Sequence, residues 1–89
     1  MKTITIWSGH KSFVGDNNYE TVDFKGEELG SVRFTDNLQY RVFRSEEDKI
    51  IIFFVERKGY DCFAEIFEYH SLEEAAKEYR YILRKAGVI

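Results

Sequence analysis

The 89 residues predict an α+β fold: a curved antiparallel β-meander of about five to six strands, with one C-terminal helix packed on one face. Three observations carry this. Ile50 to Val55 is a run of six apolar residues, β-branched and aromatic, fenced by Glu46-Glu47-Asp48-Lys49 and Glu56-Arg57-Lys58. The segments before it alternate apolar with polar residues between turn signals, a period of two without a helical stretch. The residues after Ser71 place apolar side chains at helical spacing.

The chain reads as one domain, residues 1–89. Thr3 to Trp7 alternates, with Ile4 and Ile6 on one face and Thr3, Thr5 and Trp7 on the other, giving a first strand over 3–7. Ser8 to Ser12 breaks the pattern, Phe13-Val14 is a brief apolar pair, and Gly15-Asp16-Asn17-Asn18 is a turn cluster. Val22 and Phe24 mark a strand over 19–24, and Lys25-Gly26 begins another turn. Val32 and Phe34 mark a strand over 31–35. Asp36-Asn37 turns the chain into a strand over 38–44, where Leu38, Tyr40 and Val42 alternate with Gln39 and Arg41.

The apolar run is the strand over 50–56. Ile50, Ile52 and Phe54 occupy one face, Ile51, Phe53 and Val55 the other, so both faces need cover. Arg57-Lys58-Gly59 has the form of a three-residue hairpin loop with Gly in the left-handed position. That register sets Glu56 opposite Tyr60, Phe54 beside Cys62, Ile52 beside Ala64 and Ile50 beside Ile66. The opposite face of the strand over 61–69 then holds Phe63, Glu65 and Phe67. Ser71-Leu72-Glu73-Glu74 is a capping box opening a helix over 72–86. Its stripe is Leu72, Ala75, Ala76, Tyr79, Ile82, Leu83 and Ala86; acids lead, bases close, and Gly87 ends it. The helix is expected on the Cys62/Ala64 side. The Phe63/Phe67 side is left to the N-terminal strands or to another molecule.

Composition narrows function. A chain of this size buries somewhat more than ~60% of its unfolded surface, enough for one modest core. Thirteen basic and 16 acidic residues give a net charge of −3. That weighs against a dedicated duplex-DNA binder, which carries a basic excess. The single cysteine, Cys62, excludes an internal disulfide framework and reads as a small core residue. No signal-peptide pattern and no long apolar run are expected to act, so the location expected is cytoplasmic, with no membrane partner. His10 and His70 lack ligands at metal spacing, so neither metal nor cofactor is expected. No paired acid and base or nucleophile set marks an enzyme.

Aromatic content is high: eight Phe, six Tyr and one Trp. Such side chains anchor interfaces when exposed. The candidate partner-binding face is Phe63, Glu65 and Phe67, with Arg41 and Phe43 from a neighbouring strand and an Arg41–Glu65 pair across strands. Asp16, Glu20, Asp23, Glu27 and Glu28 bias the N-terminal third towards acid, a rim able to meet a basic groove. Lys58-Gly59-Tyr60 through Phe67, followed by Ser71-Leu72-Glu73-Glu74-Ala75-Ala76, resembles part of an RNA-recognition motif, which implies aromatics stacking on bases. Asp61-Cys62 is an insertion in that spacing, and no crossover helix precedes it.

The leading expectation is a small non-enzymatic protein-binding module, a subunit or an inhibitor that occludes its partner. One example is a mobile-element inhibitor of a nucleic-acid-processing machine; self-association as a homodimer is a further form. The alternative is single-stranded nucleic-acid binding through an aromatic sheet face, with Arg57, Lys58 and Tyr60, and Arg41, at the strand.

Overall fold

The computed structural model describes residues 1–15 and 17–89; Asp16, part of the expected turn and acidic rim, lies outside the described residues. Five strands, β1 (Lys2–Ser12), β2 (Asn18–Thr35), β3 (Leu38–Ser45), β4 (Ile50–Lys58) and β5 (Asp61–Tyr69), precede one helix, α1 (Leu72–Lys85). Each strand pairs antiparallel with the next. β1 then pairs antiparallel with β5, from Gly9 opposite Ala64 to Ser12 opposite Asp61. The meander is therefore closed into a barrel rather than merely curved. Among the described residues no helix crosses over between strands, which separates this order from that of an RNA-recognition motif.

Closure answers the cover problem of β4. The barrel interior holds Ile4, Ile6, Phe43, Ile51, Phe53 and Ala64. The outer side holds Val42, Ile50 and Ile52 against Ala75, Ala76 and Leu83 of α1. Ile50, Ile52, Val42, Phe43 and Leu83 are each at most 1% exposed, so β4 is core on both faces. The N-terminal strands supply the inner cover, and the chain completes its own interior.

The faces of β5 are exchanged relative to the expected register. Lys58 pairs with Asp61 around a two-residue loop, Gly59-Tyr60, and Glu56 faces Phe63 rather than Tyr60. That odd-numbered shift turns Ala64 and Ile66 into the barrel and Phe67 and Tyr69 out under the helix. Turn chemistry explains it: Gly59 is the first loop residue with φ of 62°, the geometry of a type II′ hairpin, whose twist suits the flanking strands. The neighbouring β3–β4 hairpin uses a three-residue loop, with Asp48 at φ 62° and the Ser45 amide donating to the Lys49 carbonyl at 2.9 Å.

Two expected strands, 19–24 and 31–35, are one continuous β2 of 18 residues. Gly26 makes this possible. It is buried where β2 leaves β1 for β3, pairing with Lys2 on one side and Ser45 on the other. A Cβ there would overlap the Arg44 carbonyl oxygen and press on Ser45 Cα at 3.1 Å. Register shifts between Glu28 and Gly30 and between Arg33 and Thr35 bend the strand further.

The helix begins as expected. Ser71 is extended (φ −153°, ψ 163°) and its Oγ accepts from the Glu74 amide at 3.1 Å. At the other end the Gly87 amide donates to the Arg84 carbonyl (3.1 Å) and the Val88 amide to the Leu83 carbonyl (2.9 Å), a Schellman closure with Gly87 at φ 78°. The closed end lies on β2, where a Cβ on Gly30 would overlap the Ala86 carbonyl oxygen. The helix kinks at Tyr79 (φ −122°, ψ 29°), whose ring centroid lies 5.6 Å from Phe67 and 6.0 Å from Tyr69. The Tyr69 hydroxyl donates to Glu78 at 2.6 Å; burial first, and this carboxylate second, push its pKa well above the ordinary phenol value.

Replacing Gly26 by Ala is expected to lower unfolding stability by about 1–3 kcal/mol, because the new methyl meets backbone that cannot move without breaking a strand pair. Urea unfolding followed by far-UV circular dichroism measures it; an unchanged midpoint would show that the corner has room.

Candidate functional site: the barrel mouth

The expected partner face is divided by the fold. Phe43 is fully buried in the interior, 0% exposed, and is not presented to a partner; it packs edge-on to Phe24 at 5.6 Å. Arg41 does not meet Glu65. It sits opposite Phe53 on β4, while Glu65 sits opposite Phe54, so the two project to different sides of the sheet. Arg41 Nε instead donates to Glu28 at 2.7 Å. Phe67 is half-buried beneath α1. Phe63 and Glu65 remain exposed on the outer wall. There Phe63 stacks on His10, with centroids 4.8 Å apart and planes 12° apart. Glu65 lies near enough to Tyr40 to raise its pKa, after burial and Glu56 as the larger causes.

The nucleic-acid candidates Arg57, Lys58 and Tyr60 fall on the β4–β5 hairpin, all exposed. Lys58 Nζ is 3.6 Å from Glu56. Arg57 Nε donates to the Gly59 carbonyl at 3.4 Å, and its guanidinium lies 5.8 Å from the Phe13 ring centroid.

That last contact leads to a concavity at the end of the barrel. The β1–β5 seam continues past Ser12, where the Phe13 amide donates to the Tyr60 carbonyl at 3.1 Å. This carries the end of β1 onto the hairpin and brings Phe13 (74% exposed) beside Tyr60 (66% exposed). Next to them a recess of about 280 Å³ opens, walled by Trp7, Phe13, Tyr19, Lys11 and Cys62. A second, of about 160 Å³, is lined by Arg33, Asp36, Leu38, Val55, Arg57 and again Cys62. The two recesses share Cys62 and adjoin at the barrel mouth, with the Arg57–Phe13 contact between them, and together form the mouth cleft. Cys62, expected as a core residue on the helix side, is half-buried at the floor of this cleft.

The cleft is aromatic and cationic together. Trp7 and Tyr19 meet edge to face at 6.0 Å. Lys11 Nζ sits 4.3 Å from the Trp7 ring centroid and 4.5 Å from that of Tyr19, within cation–π range of both. The loop beside it is held locally: Asn17 Oδ1 accepts from the Ser12 amide at 2.7 Å, and Ser12 Oγ from the Val14 amide at 3.2 Å. Of the charged residues lining the cleft, Lys11, Arg33 and Arg57 are basic and Asp36 is acidic.

The seam behind the cleft is fastened by His10, whose Nε2 lies 2.8 Å from Asp61 Oδ1. This hydrogen bond, with smaller help from the Ser12 hydroxyl and against a modest desolvation penalty, lowers the Asp61 pKa below its ordinary value of 3.8. Among the described residues no group of three or more His, Cys, Asp or Glu side chains is placed to hold a metal ion. Among the described residues no helix is long and apolar enough to cross a membrane.

Sequence reasoning passed over Trp7, Lys11, Phe13 and Tyr19. The available signal was Trp7 itself, a large aromatic on the strand face otherwise occupied by Thr3 and Thr5. Comparison with known proteins adds no relative: no protein-family model, no curated protein and no solved structure matches this chain.

Folding lowers the Asp61 pKa, so the unfolded chain takes up that proton first as pH falls. The Asp61 contribution is therefore complete above the ordinary carboxylate range and is lost as pH drops through the lowered folded value. The Tm advantage of wild type over Asp61→Asn is expected to shrink as the pH falls below about 4, compared with its value at about pH 6. An advantage that stays constant over that range would exclude the pair as a stabilising contact.

Proposed function

We propose that the chain is a small non-enzymatic protein-binding module, a subunit or an inhibitor that works by occluding its partner, and that it makes contact through the barrel mouth. The carrying observation is the Phe13–Tyr60 junction. A backbone hydrogen bond joins Phe13, 74% exposed, to Tyr60, 66% exposed, and Phe13 lines the aromatic recess. Rigid aromatic rings on ordered backbone, with Arg and Trp alongside, have the composition of interface anchors. Val14, 76% exposed, extends the same rim. Phe63, Glu65 and the outer wall then flank the contact rather than form its centre.

Capture tests this reading. The immobilised chain is expected to retain a partner from extract of the cells that carry it, and a Phe13→Ser/Tyr60→Ser variant with unchanged Tm is expected to lose at least about tenfold of it, as for two truncated anchors. Equal retention by the folded variant would contradict the proposal. Light scattering on a sizing column separates a second copy of the chain from a different protein as the partner.

A second reading, single-stranded nucleic-acid binding, is favoured by one observation: Arg57 lies over the Phe13 ring with Tyr60 exposed on the same hairpin. Binding to mixed oligonucleotides would then fall steeply with salt, and no binding at low salt removes it.

A further inference from the structure

We infer that the mouth cleft takes an acidic segment of a protein partner, its carboxylates meeting Lys11, Arg33 and Arg57 and its apolar side chains the wall of Trp7, Phe13 and Tyr19. This rests on the protein-binding reading and names the chemistry of that site. Charge is the first ground. The chain carries −3 overall, yet the cleft is lined by three basic residues and one acid. Among the described residues none of the three cations is ion-paired: the pairs formed involve His10, Arg41, Lys49 and Lys58. The nearby Asp61 carboxylate is engaged by His10.

The second ground is how the cations are held. Lys11 Nζ lies against the rings of both Trp7 and Tyr19, and Arg57 rests over Phe13. A lysine held by two aromatic faces keeps its ammonium donors for a ligand while losing much of the rotamer freedom that binding would otherwise cost. A carboxylate meets Lys11 where it already lies. A nucleobase stacking on Trp7 or Tyr19 must first displace it. The apolar wall between the cations matches a segment in which Asp or Glu alternates with apolar residues. At about 280 Å³ the larger recess is close to the lower limit of ordinary ligand pockets and accommodates one anchoring side chain.

Trp7 is the only tryptophan in the chain and stands in the cleft wall, so its fluorescence reports occupancy directly. The full chain is titrated with a short peptide of interspersed Glu and Leu, with its Gln-for-Glu counterpart, and with an oligo-dT strand of equal length. The Glu peptide is expected to shift Trp7 emission saturably and to weaken with salt. The Gln peptide is expected to bind about tenfold or more weakly, as is the Glu peptide to Arg57→Gln, each having lost a charged hydrogen bond. Far-UV circular dichroism and Tm confirm that Arg57→Gln is folded. Equal binding of Gln and Glu peptides, tighter binding of oligo-dT, or no binding of the Glu peptide would each overturn the assignment. If the Glu peptide fails while capture still depends on Phe13 and Tyr60, the acidic chemistry is wrong and the protein-binding reading stands. If both fail, the site itself is wrong.

Discussion

A strand that is apolar on both faces cannot stay at the surface of a single sheet, and β4 imposes this constraint on everything else. Fully burying an Ile or Phe side chain is worth about 1.5–3 kcal/mol, and β4 contributes Ile50, Ile51, Ile52 and Phe53, all at most 8% exposed. No single cover could satisfy that arrangement. The helix takes the outer side through Ala75, Ala76 and Leu83, and the inner side can be covered only if the N-terminal strands wrap round to it. Closing β1 onto β5 achieves this and pairs their edges over Gly9 to Ser12 and Asp61 to Ala64. The small residues at the seam, Gly9 opposite Ala64, let the two backbones meet over a narrow interior.

Closure also builds the mouth. Trp7 and Lys11 of β1 meet Tyr19 through the β1–β2 pairing, Arg57 of β4 faces Cys62 of β5 across their hairpin, and the seam, with Lys11 opposite Cys62, brings the two groups together. The site is in this sense a product of the barrel rather than of any local motif. The His10–Asp61 contact and the Phe13–Tyr60 hydrogen bond fasten the seam immediately beside the cleft. Whatever disturbs closure disturbs the site with it.

Much of the fold was legible because local chemistry and tertiary role coincide at particular residues. Ile50 to Val55 could be read as a two-faced strand, Asp36-Asn37 as a hairpin turn, and Ser71 with Gly87 as the two ends of the helix. The errors arose where a local signal had two meanings. Lys25-Gly26 looks like a turn, but Gly26 is the point at which one long strand bends between two partners, and only the Arg44 backbone pressing on it distinguishes the cases. Arg57-Lys58-Gly59 fits a three-residue loop as well as it leads into the two-residue Gly59-Tyr60 loop, and that difference exchanged every side chain of β5 between inside and outside. The candidate face built on Phe43, Phe63, Glu65 and Phe67 followed from that register and was divided with it. Trp7, Lys11 and Tyr19 converge only through the β1–β2 pairing and the curl of the sheet, which no spacing in the sequence encodes.

Since core and site both depend on the seam, inter-strand nuclear Overhauser contacts in the labelled chain in solution test barrel closure most directly. Contacts are expected between Gly9 and Ala64, His10 and Phe63, Lys11 and Cys62, and Ser12 and Asp61, alongside those linking β4 to β5. A spectrum with the β4–β5 contacts intact and the β1–β5 set missing would contradict closure, and with it the mouth.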